Sequence, residues 1–580
     1  MRKRIKIYFN AIDGLLWYQA LLAGILAGIG FLVRQLINFL LRSSGHVALT
    51  SGDYRFLFTT WQGWLLLAVG LGVLVLYEII DTNVKIVYCD DLIHRRTKSF
   101  RQTFLQAMKA SRPLFSRRGV WTIFYMSLLV PLCGIGLTVP ATRNLTIPDF
   151  ITSYIYSQPL LFIGYGAAVA AAAILCIRNL FVFHEIILKG KPVDEALDAA
   201  KTLMRRNWKN FLGHIILFTL VLVGIVTVLT LALSGGSYAL IQSLHLSTEM
   251  TRFWTIFTTL FTAIVGSILS LAMLPLEILE VTILYERYRD EAVYTLPEQP
   301  AHVRRRVLVI TICLAVCTAG STVMTMSFDR FFPAASSVGV IAHRTGGKLA
   351  FENSAAGIKA AARQGAVGSE TDVQRTKDGA YIINHDNTFK RLYGDDRKPS
   401  EMTLAEIKQL HDADGHTVPT LAELLKTSKG KVKLYIELKG ETADRRMADD
   451  VVKMIRKYHM EKQTAVISLK YDVVSYTEKK YPDIETGYLY FAAVGRDEDL
   501  QVDDLIIEEE MASNATIERI HEAGKKAIVW TVNDEEMMYN ILLSDADDLI
   551  TDEVKQAVRQ KKAIQNRNYY ERIWDQMLDF

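Results

Sequence analysis

Seven apolar stretches, near residues 14–40, 63–83, 120–140, 157–182, 211–234, 253–285 and 306–327, are each long enough to cross a bilayer. A hydrocarbon core of about 30 Å takes about 20 predominantly apolar residues as a helix, so this half of the chain is restricted to membrane helices. From about residue 334 the 580-residue chain changes character and is mixed, charged and patterned like a soluble domain. The two regions are read separately, as a membrane domain over 1–330 and a soluble domain over 337–580. The basic start MRKRIKIYFNAIDG leads into a span-length apolar segment with no small-residue cleavage site, which predicts an uncleaved first helix rather than a signal peptide. The first stretch contains Arg34 and the sixth Glu277 and Glu280. These glutamates belong either to an inner helix end in water or to a polar cavity.

Lysine and arginine set the orientation. With a cytoplasmic N-terminus the inner segments hold about 24 Lys and Arg and the three outer loops about 4. An odd number of spans then delivers the soluble half to the outside of the cell membrane, as the extracellular domain of a multi-pass protein. The net charge of +4 averages over this asymmetry and gives no argument for nucleic acid. All five cysteines (Cys89, Cys133, Cys176, Cys313, Cys317) fall in the first half, so the soluble half has neither a disulfide framework nor a Cys-based zinc site. Two inner segments, SFRQTFLQAMKA and PVDEALDAAKTL, place Phe100, Phe104 and Ala107 in register with Val193, Leu197 and Ala200. They are either a weak repeat of an interfacial helix or two ordinary basic loops.

From Ser337 the chain alternates short β-branched runs with helical stretches, the signature of βα units and a parallel sheet. The runs SVGVIAH, AVGSETDV, KVKLYIEL, TAVISL, ETGYLY, DDLIIE, KAIVWTV and DDLIT make eight, over about 245 residues. The expected architecture is a multi-span α-helical membrane domain followed by an α/β, (β/α)₈ TIM barrel. A ninth run, AYIINHD, follows the second strand after only RTKDG. A parallel crossover needs a dozen or more residues and Lys-Asp-Gly is turn chemistry, so this pair is predicted to be an antiparallel hairpin that returns His385 and Asp386 to the barrel mouth.

In such a barrel the C-terminal strand ends face the active site. They carry His343 and Arg344, Glu370 and Asp372, His385 on the hairpin, and Glu437 and Lys439. Glu370 and Asp372 are two apart and share a face of their strand. With Glu437 they offer three hard oxygen donors, suited to Ca²⁺ or Mg²⁺. The tripeptide ETD alone would be an ordinary solvated strand end; its combination with Glu437 and both histidines is what points to a site. His343 and His385 offer an acid and a base near neutral pH, whereas His411, His416, His459 and His521 read as packed or surface residues. Arg344 and Lys439 supply donors matched to phosphate oxygens. A hard metal, cations and an acid/base pair together read as phosphoryl chemistry.

These residues resemble the glycerophosphodiester phosphodiesterase family. Its order of His-Arg-Gly, Pro-Glu-Asn-Thr, Glu-x-Asp-Val, Thr-Lys-Asp-Gly and His-Asp is matched by HRTGG, FENS, ETDV, TKDG and NHD. Further on, VPTLAELL, YIELKG, VWTVND and LITDE resemble its later segments, so that the similarity spans 338–552. The seven-span half is similar to the membrane-anchored branch of Gram-positive bacteria. The resemblance implies metal-assisted hydrolysis of a glycerophosphodiester to an alcohol and glycerol phosphate. Carried over by position, it makes His343 and His385 the acid/base pair, Glu370, Asp372 and Glu437 the metal ligands, and Arg344 and Lys439 the phosphate contacts. Glu352 and Asn353 would shape the glycerol and metal side, and Trp530 would either line the pocket or pack. Thr345 stands where the family has Gly, and Phe351 where it has Pro. A β-branched residue tolerates positive φ poorly, so an altered turn after Arg344 is expected.

The tether 328–337 enters the first strand, which predicts that the N-terminal end of that strand lies nearest the bilayer and the mouth further out. On that expectation a soluble glycerophosphodiester or a wall-associated polyglycerol phosphate is preferred over an embedded lipid or lysophospholipid. A different class of function makes the membrane half a transporter or lipid-handling module for which the barrel supplies substrate or sensing. A catalytically dead binding barrel is the third, opposed by the complete set of ionisable residues. The tail KQAVRQKKAIQNRNYYERIWDQMLDF, with Tyr569, Tyr570 and Trp574, reads as the last barrel helix with an extension or a membrane-surface contact. Oligomeric state has no signature in the sequence.

Overall fold

The structure is a computed structural model that describes residues 2–51, 54–132, 155–156, 158–290 and 302–578. The chain forms two compact units, Met1–Leu36 with Trp64–Phe328, and Ile37–Gly63 with Asp329–Phe580.

In the first unit, six helices among the described residues are long and apolar enough to cross a membrane: Ala11–Ser43, Trp61–Ile93, Pro159–Lys189, Val193–Ser243, Thr248–Arg289 and Val303–Met326. The third expected span starts on the helix Arg117–Leu132, and the rest of it lies outside the described residues. The segment Phe100–Ala110 is a helix opened by a capping box of Ser99 and Gln102. Its Ala107 is fully buried, as is the matching Ala200 near the start of Val193–Ser243, so both segments turn a small-residue face inward. Glu277 and Glu280 do not end in water. Both are buried; Glu280 accepts a hydrogen bond from Tyr8 at 2.7 Å and lies 2.7 Å from His214 Nε2, and Glu277 accepts from Thr219 at 3.4 Å. Polar side chains buried among apolar helices are retained only with such partners.

In the second unit, β1 (Ala48–Thr50) precedes ten strands from the soluble half. They are β2 (Gly339–Ala342), β3 (Gly368–Arg375), β4 (Tyr381–Ile383), β5 (Lys433–Leu438), β6 (Thr464–Ser468), β7 (Glu485–Tyr490), β8 (Ala493–Gly495), β9 (Asp504–Glu508), β10 (Lys526–Trp530) and β11 (Asp548–Thr551). Eight of them close a parallel barrel in the order β2-β11-β10-β9-β7-β6-β5-β3, sealed by β2 against β3. Each expected run supplies one barrel strand. β4 pairs antiparallel with β3, Val373 opposite Ile383, as the short connection requires. Its turn is held by Gly379 at φ +83° and by the Thr376 hydroxyl, which donates to Asp378 at 2.6 Å.

Strands buried on both faces read as continuous apolar runs, and their alternation sorts the side chains into two layers. Ile341, Ile506 and Ile528 point into the barrel, while their neighbours Val340, Ala342, Leu505, Ile507, Ala527 and Val529 face the surrounding helices. At the N-terminal end of the barrel, Glu485 bridges Lys433 at 2.5 Å and Lys526 at 2.7 Å. The tether is not loose: Arg572 Nε donates to Phe332 O at 2.8 Å and Arg567 to Pro333 O at 3.1 Å. The tail is thus the barrel helix Val554–Gln565 followed by a clamp, Tyr569–Leu578, on the incoming chain.

Candidate active site

The C-terminal ends of β2, β3 and β5, with the β3–β4 hairpin, bring the expected polar residues into one connected cluster. Glu370 and Asp372 project from β3 and Glu437 from β5, where Asp372 lies opposite Glu437 in parallel register. All three are buried, and one oxygen from each lies within 4.8 Å of the others. Lys439 Nζ donates to Asp372 Oδ1 at 2.9 Å and to Glu437 Oε2 at 3.0 Å. Asn353 Nδ2 donates to the other Asp372 oxygen at 2.8 Å. The remaining oxygens, Glu370 Oε1 and Glu437 Oε1, are buried without a hydrogen-bond partner. An orphaned buried carboxylate oxygen is costly, and two in one trio are what a hard cation would satisfy.

The electrostatics agree. Burial, then repulsion by Asp372 and Glu437, pushes Glu370 well above the usual carboxylate range. Burial raises Glu437 likewise, to about 7. Asp372 is equally buried, but the Lys439 and His385 charges and the Asn353 hydrogen bond outweigh that and hold it well below its ordinary value. Lys439 is held firmly protonated by its carboxylate neighbours despite burial.

Both histidines are oriented through the same ring atom. His343 Nδ1 lies 2.9 Å from Asp552 Oδ1, and His385 Nδ1 lies 2.8 Å from Asp386 Oδ1. Asn533 Nδ2 in turn donates to Asp552 Oδ2 at 2.9 Å. A carboxylate on Nδ1 favours the tautomer that leaves Nε2 to exchange a proton. Burial lowers the His385 pKa, with Asp386 in partial opposition. Burial would raise Asp552, but its hydrogen bond and attraction to His343 hold it near 2.

Arg344 extends from the turn after β2: its N–H donates to Glu370 Oε2 at 2.8 Å and its guanidinium to Glu352 at 3.1 Å. Arg391 grips Glu352 from the other side at 2.5 Å and Asp386 at 2.6 Å, so that Glu352 links Arg344 to the His385 hairpin. Burial pushes Glu352 up, but the two arginines outweigh it and keep the carboxyl ionised. Trp530 is half-buried against the inner barrel layer and donates Nε1–H to Ile506 O at 3.0 Å. Asp552, Asn533 and Arg391 were not singled out from sequence. The first two sit in LITDE and VWTVND, segments that carried the resemblance, whereas nothing local marks Arg391.

The turn at Thr345 takes the left-handed backbone region that favours glycine. Arg344 and Thr345 both take positive φ, 45° and 71°. The fully buried Thr345 compensates through its hydroxyl, which accepts from Ser354 N at 2.9 Å, while its carbonyl accepts from Ser369 Oγ at 2.8 Å. Gly357 makes the room, since a Cβ there would lie 2.4 Å from Thr345 Oγ1. Phe351 stacks on His416 with ring centroids 4.3 Å apart.

A family model described as the glycerophosphoryl diester phosphodiesterase family matches residues 343–556, and one described as the membrane domain of glycerophosphoryl diester phosphodiesterase matches residues 1–322. Glycerophosphodiester phosphodiesterase of Caldanaerobacter subterraneus subsp. tengcongensis is 30% identical over 233 residues, 37% of this chain and 93% of its own. Glycerophosphodiester phosphodiesterase 1 of Mus musculus is 32% identical over 113 residues, 18% of this chain and 34% of its own. A crystal structure of a glycerophosphodiester phosphodiesterase from Parabacteroides distasonis aligns at 26% identity over 40% of this chain and 99% of its own, with a TM-score of 0.35. With both halves matched, the chain belongs to the membrane-anchored bacterial glycerophosphodiester phosphodiesterase family and is a phosphoric diester hydrolase.

Proposed function

We propose that the protein hydrolyses glycerophosphodiesters at the outer face of the cell membrane by metal-assisted acid/base catalysis between His343 and His385. The observation that carries this reading is the pairing of a buried carboxylate trio, two of its oxygens unsatisfied, with two histidines each tied by Nδ1 to an aspartate. Glu370, Asp372 and Glu437 would hold Ca²⁺ or Mg²⁺, which when bound supplies positive charge to a phosphoryl oxygen. Arg344 and Lys439 bind and orient the phosphate, and Glu352 and Asn353 shape the glycerol side. His385, kept neutral by burial, is in the form that accepts a proton at Nε2, and His343 is its partner for the leaving oxygen. Water is thereby added across a P–O bond, giving an alcohol and glycerol phosphate.

The outward orientation rests on charge and on parity. β1, in the segment after the first span, pairs with β8 within the barrel unit, so both belong on one side of the membrane. The first span then crosses from the opposite side, and only an odd number of spans returns the chain to the barrel's side. Seven spans satisfy this, with Arg117–Leu132 opening the third. The Lys/Arg-rich segments assign the opposite side to the cytoplasm. The test is release of glycerol phosphate by the full chain from a panel of diesters, with and without Ca²⁺ or Mg²⁺. Turnover that persists in EDTA, or in His343→Ala, would sink the mechanism.

A further inference from the structure

The segment between the first two membrane helices is built into the catalytic unit. Ala48, Leu49 and Thr50 of β1 lie opposite Gly495, Val494 and Ala493 of β8. Beyond the ladder, Arg496 N–H donates to Val47 O at 3.1 Å, Ser51 N–H to Ala492 O at 3.0 Å, and Phe491 N–H to Ser51 Oγ at 3.2 Å. The Thr50 hydroxyl meets the Tyr488 hydroxyl at 2.5 Å, where both side chains are buried. Gly495 permits the approach: it sits at φ +114°, and a Cβ there would lie 2.9 Å from Val47 O and 3.0 Å from Ala48 Cα. Backbone pairing, side-chain bonds and a required glycine make this a specific joint.

Its position bears on the substrate. β8 begins three residues after β7 ends, so the joint lies at the C-terminal end of the barrel, the end that carries His343, Glu370 and Glu437. The tether, clamped by Arg567 and Arg572, holds the opposite end of the strands. The joint also has short covalent reach to the bilayer. Ser43 ends the first apolar helix five residues before Ala48, at most about 18 Å of chain. On the other side, Phe58 and Trp61 are 58% and 67% exposed, and Trp61 opens the next apolar stretch. Exposed aromatics at the start of a span are the residues that settle at the bilayer interface.

We propose that residues 47–61 hold the active rim at the bilayer surface, and that the enzyme prefers glycerophosphodiesters anchored in the membrane by acyl chains to the same diesters free in water. The proposal rests on the phosphodiesterase reading and names its substrate class. It reverses the expectation drawn from the tether alone, because one attachment at the N-terminal end leaves the mouth free to face away, whereas a second at the rim does not. With phosphatidylglycerol as substrate, water adds across the P–O bond to the acylated glycerol, releasing glycerol phosphate and diacylglycerol.

The full chain in phosphatidylcholine vesicles is given phosphatidylglycerol in the bilayer or glycerophosphoglycerol in solution, and glycerol phosphate is measured. The expected result is a kcat/KM at least about tenfold higher for the bilayer diester. Gly495→Val, which breaks the joint, should lower that value about tenfold and change hydrolysis of the free diester less than twofold. Trp61→Ala, which leaves the joint intact, should show the same selective loss at about threefold. Equal or faster hydrolysis of the free diester by the unsubstituted protein overturns the proposal and leaves the phosphodiesterase reading standing. So does a proportional fall on both substrates in Gly495→Val and Trp61→Ala. No release from either diester overturns both readings.

Discussion

Thr345 shows how one side chain can replace what a glycine supplies through backbone freedom. Its left-handed φ of 71° costs a β-branched residue about 1–2 kcal/mol, offset by about 1 kcal/mol from the hydroxyl's bond to Ser354 N. Thr345→Gly should therefore leave stability within about 1 kcal/mol, while Thr345→Ala, which keeps the strain and loses the bond, should cost about 2 kcal/mol in denaturant unfolding. A more stable Ala than Gly variant would refute this account. Sequence marked the position but not the compensating partners Ser354, Ser369 and Gly357, which act through distances that no local pattern encodes. At the same scale, Asp552→Asn should lower kcat about 100-fold with KM little changed, since it disturbs the tautomer and orientation of His343 rather than substrate binding. A parallel rise in KM would instead place Asp552 on the substrate.

The active elements, β3 and β5, were legible as strands because β-branched runs bounded by turn residues have few alternatives, and the two-residue period put Glu370 and Asp372 on one face. That Asp372 comes into register with Glu437 is a property of the closed sheet. The register has a measurable consequence. An acid whose pKa is raised by folding contributes stability that is fully present below its unfolded pKa, about 4.3, and is lost as pH rises through its folded value. Glu437, at about 7, and Glu370, also raised, should thus weaken the metal-free barrel between about pH 4 and pH 8. A cation binding the ionised trio reverses this. Thermal melts should show Ca²⁺ or Mg²⁺, at 100 times its Kd, raising the barrel transition by about 5–10 °C at pH 8 and by much less at pH 5. A shift that is equal or larger at pH 5 would remove these carboxylates from the metal site.

For the whole molecule, the joint of β1 to β8 ties the segment after the first apolar helix to the barrel, which supports the proposed orientation. In a background without the native cysteines, His46→Cys should react with a membrane-impermeant maleimide added to intact cells, and Lys98→Cys should react only after permeabilisation. The reverse pattern would invert the topology. What the sequence determined by itself is whatever depends on local period and composition: span-length apolar runs, the eight βα units, the antiparallel hairpin, and the polar residues at strand ends. Burial demands these patterns of each segment wherever it sits, so they can be read without knowing its neighbours. Only the tertiary structure decided which distant groups meet. Arg391 joins Glu352 to Asp386, Asp552 orients His343, Glu280 finds Tyr8 and His214, and β1 pairs with a strand more than 400 residues away. Such pairings arise when chain closure brings polar groups into a space that excludes water and leaves each dependent on the other for its hydrogen bonds, a requirement that leaves no periodic trace in the sequence.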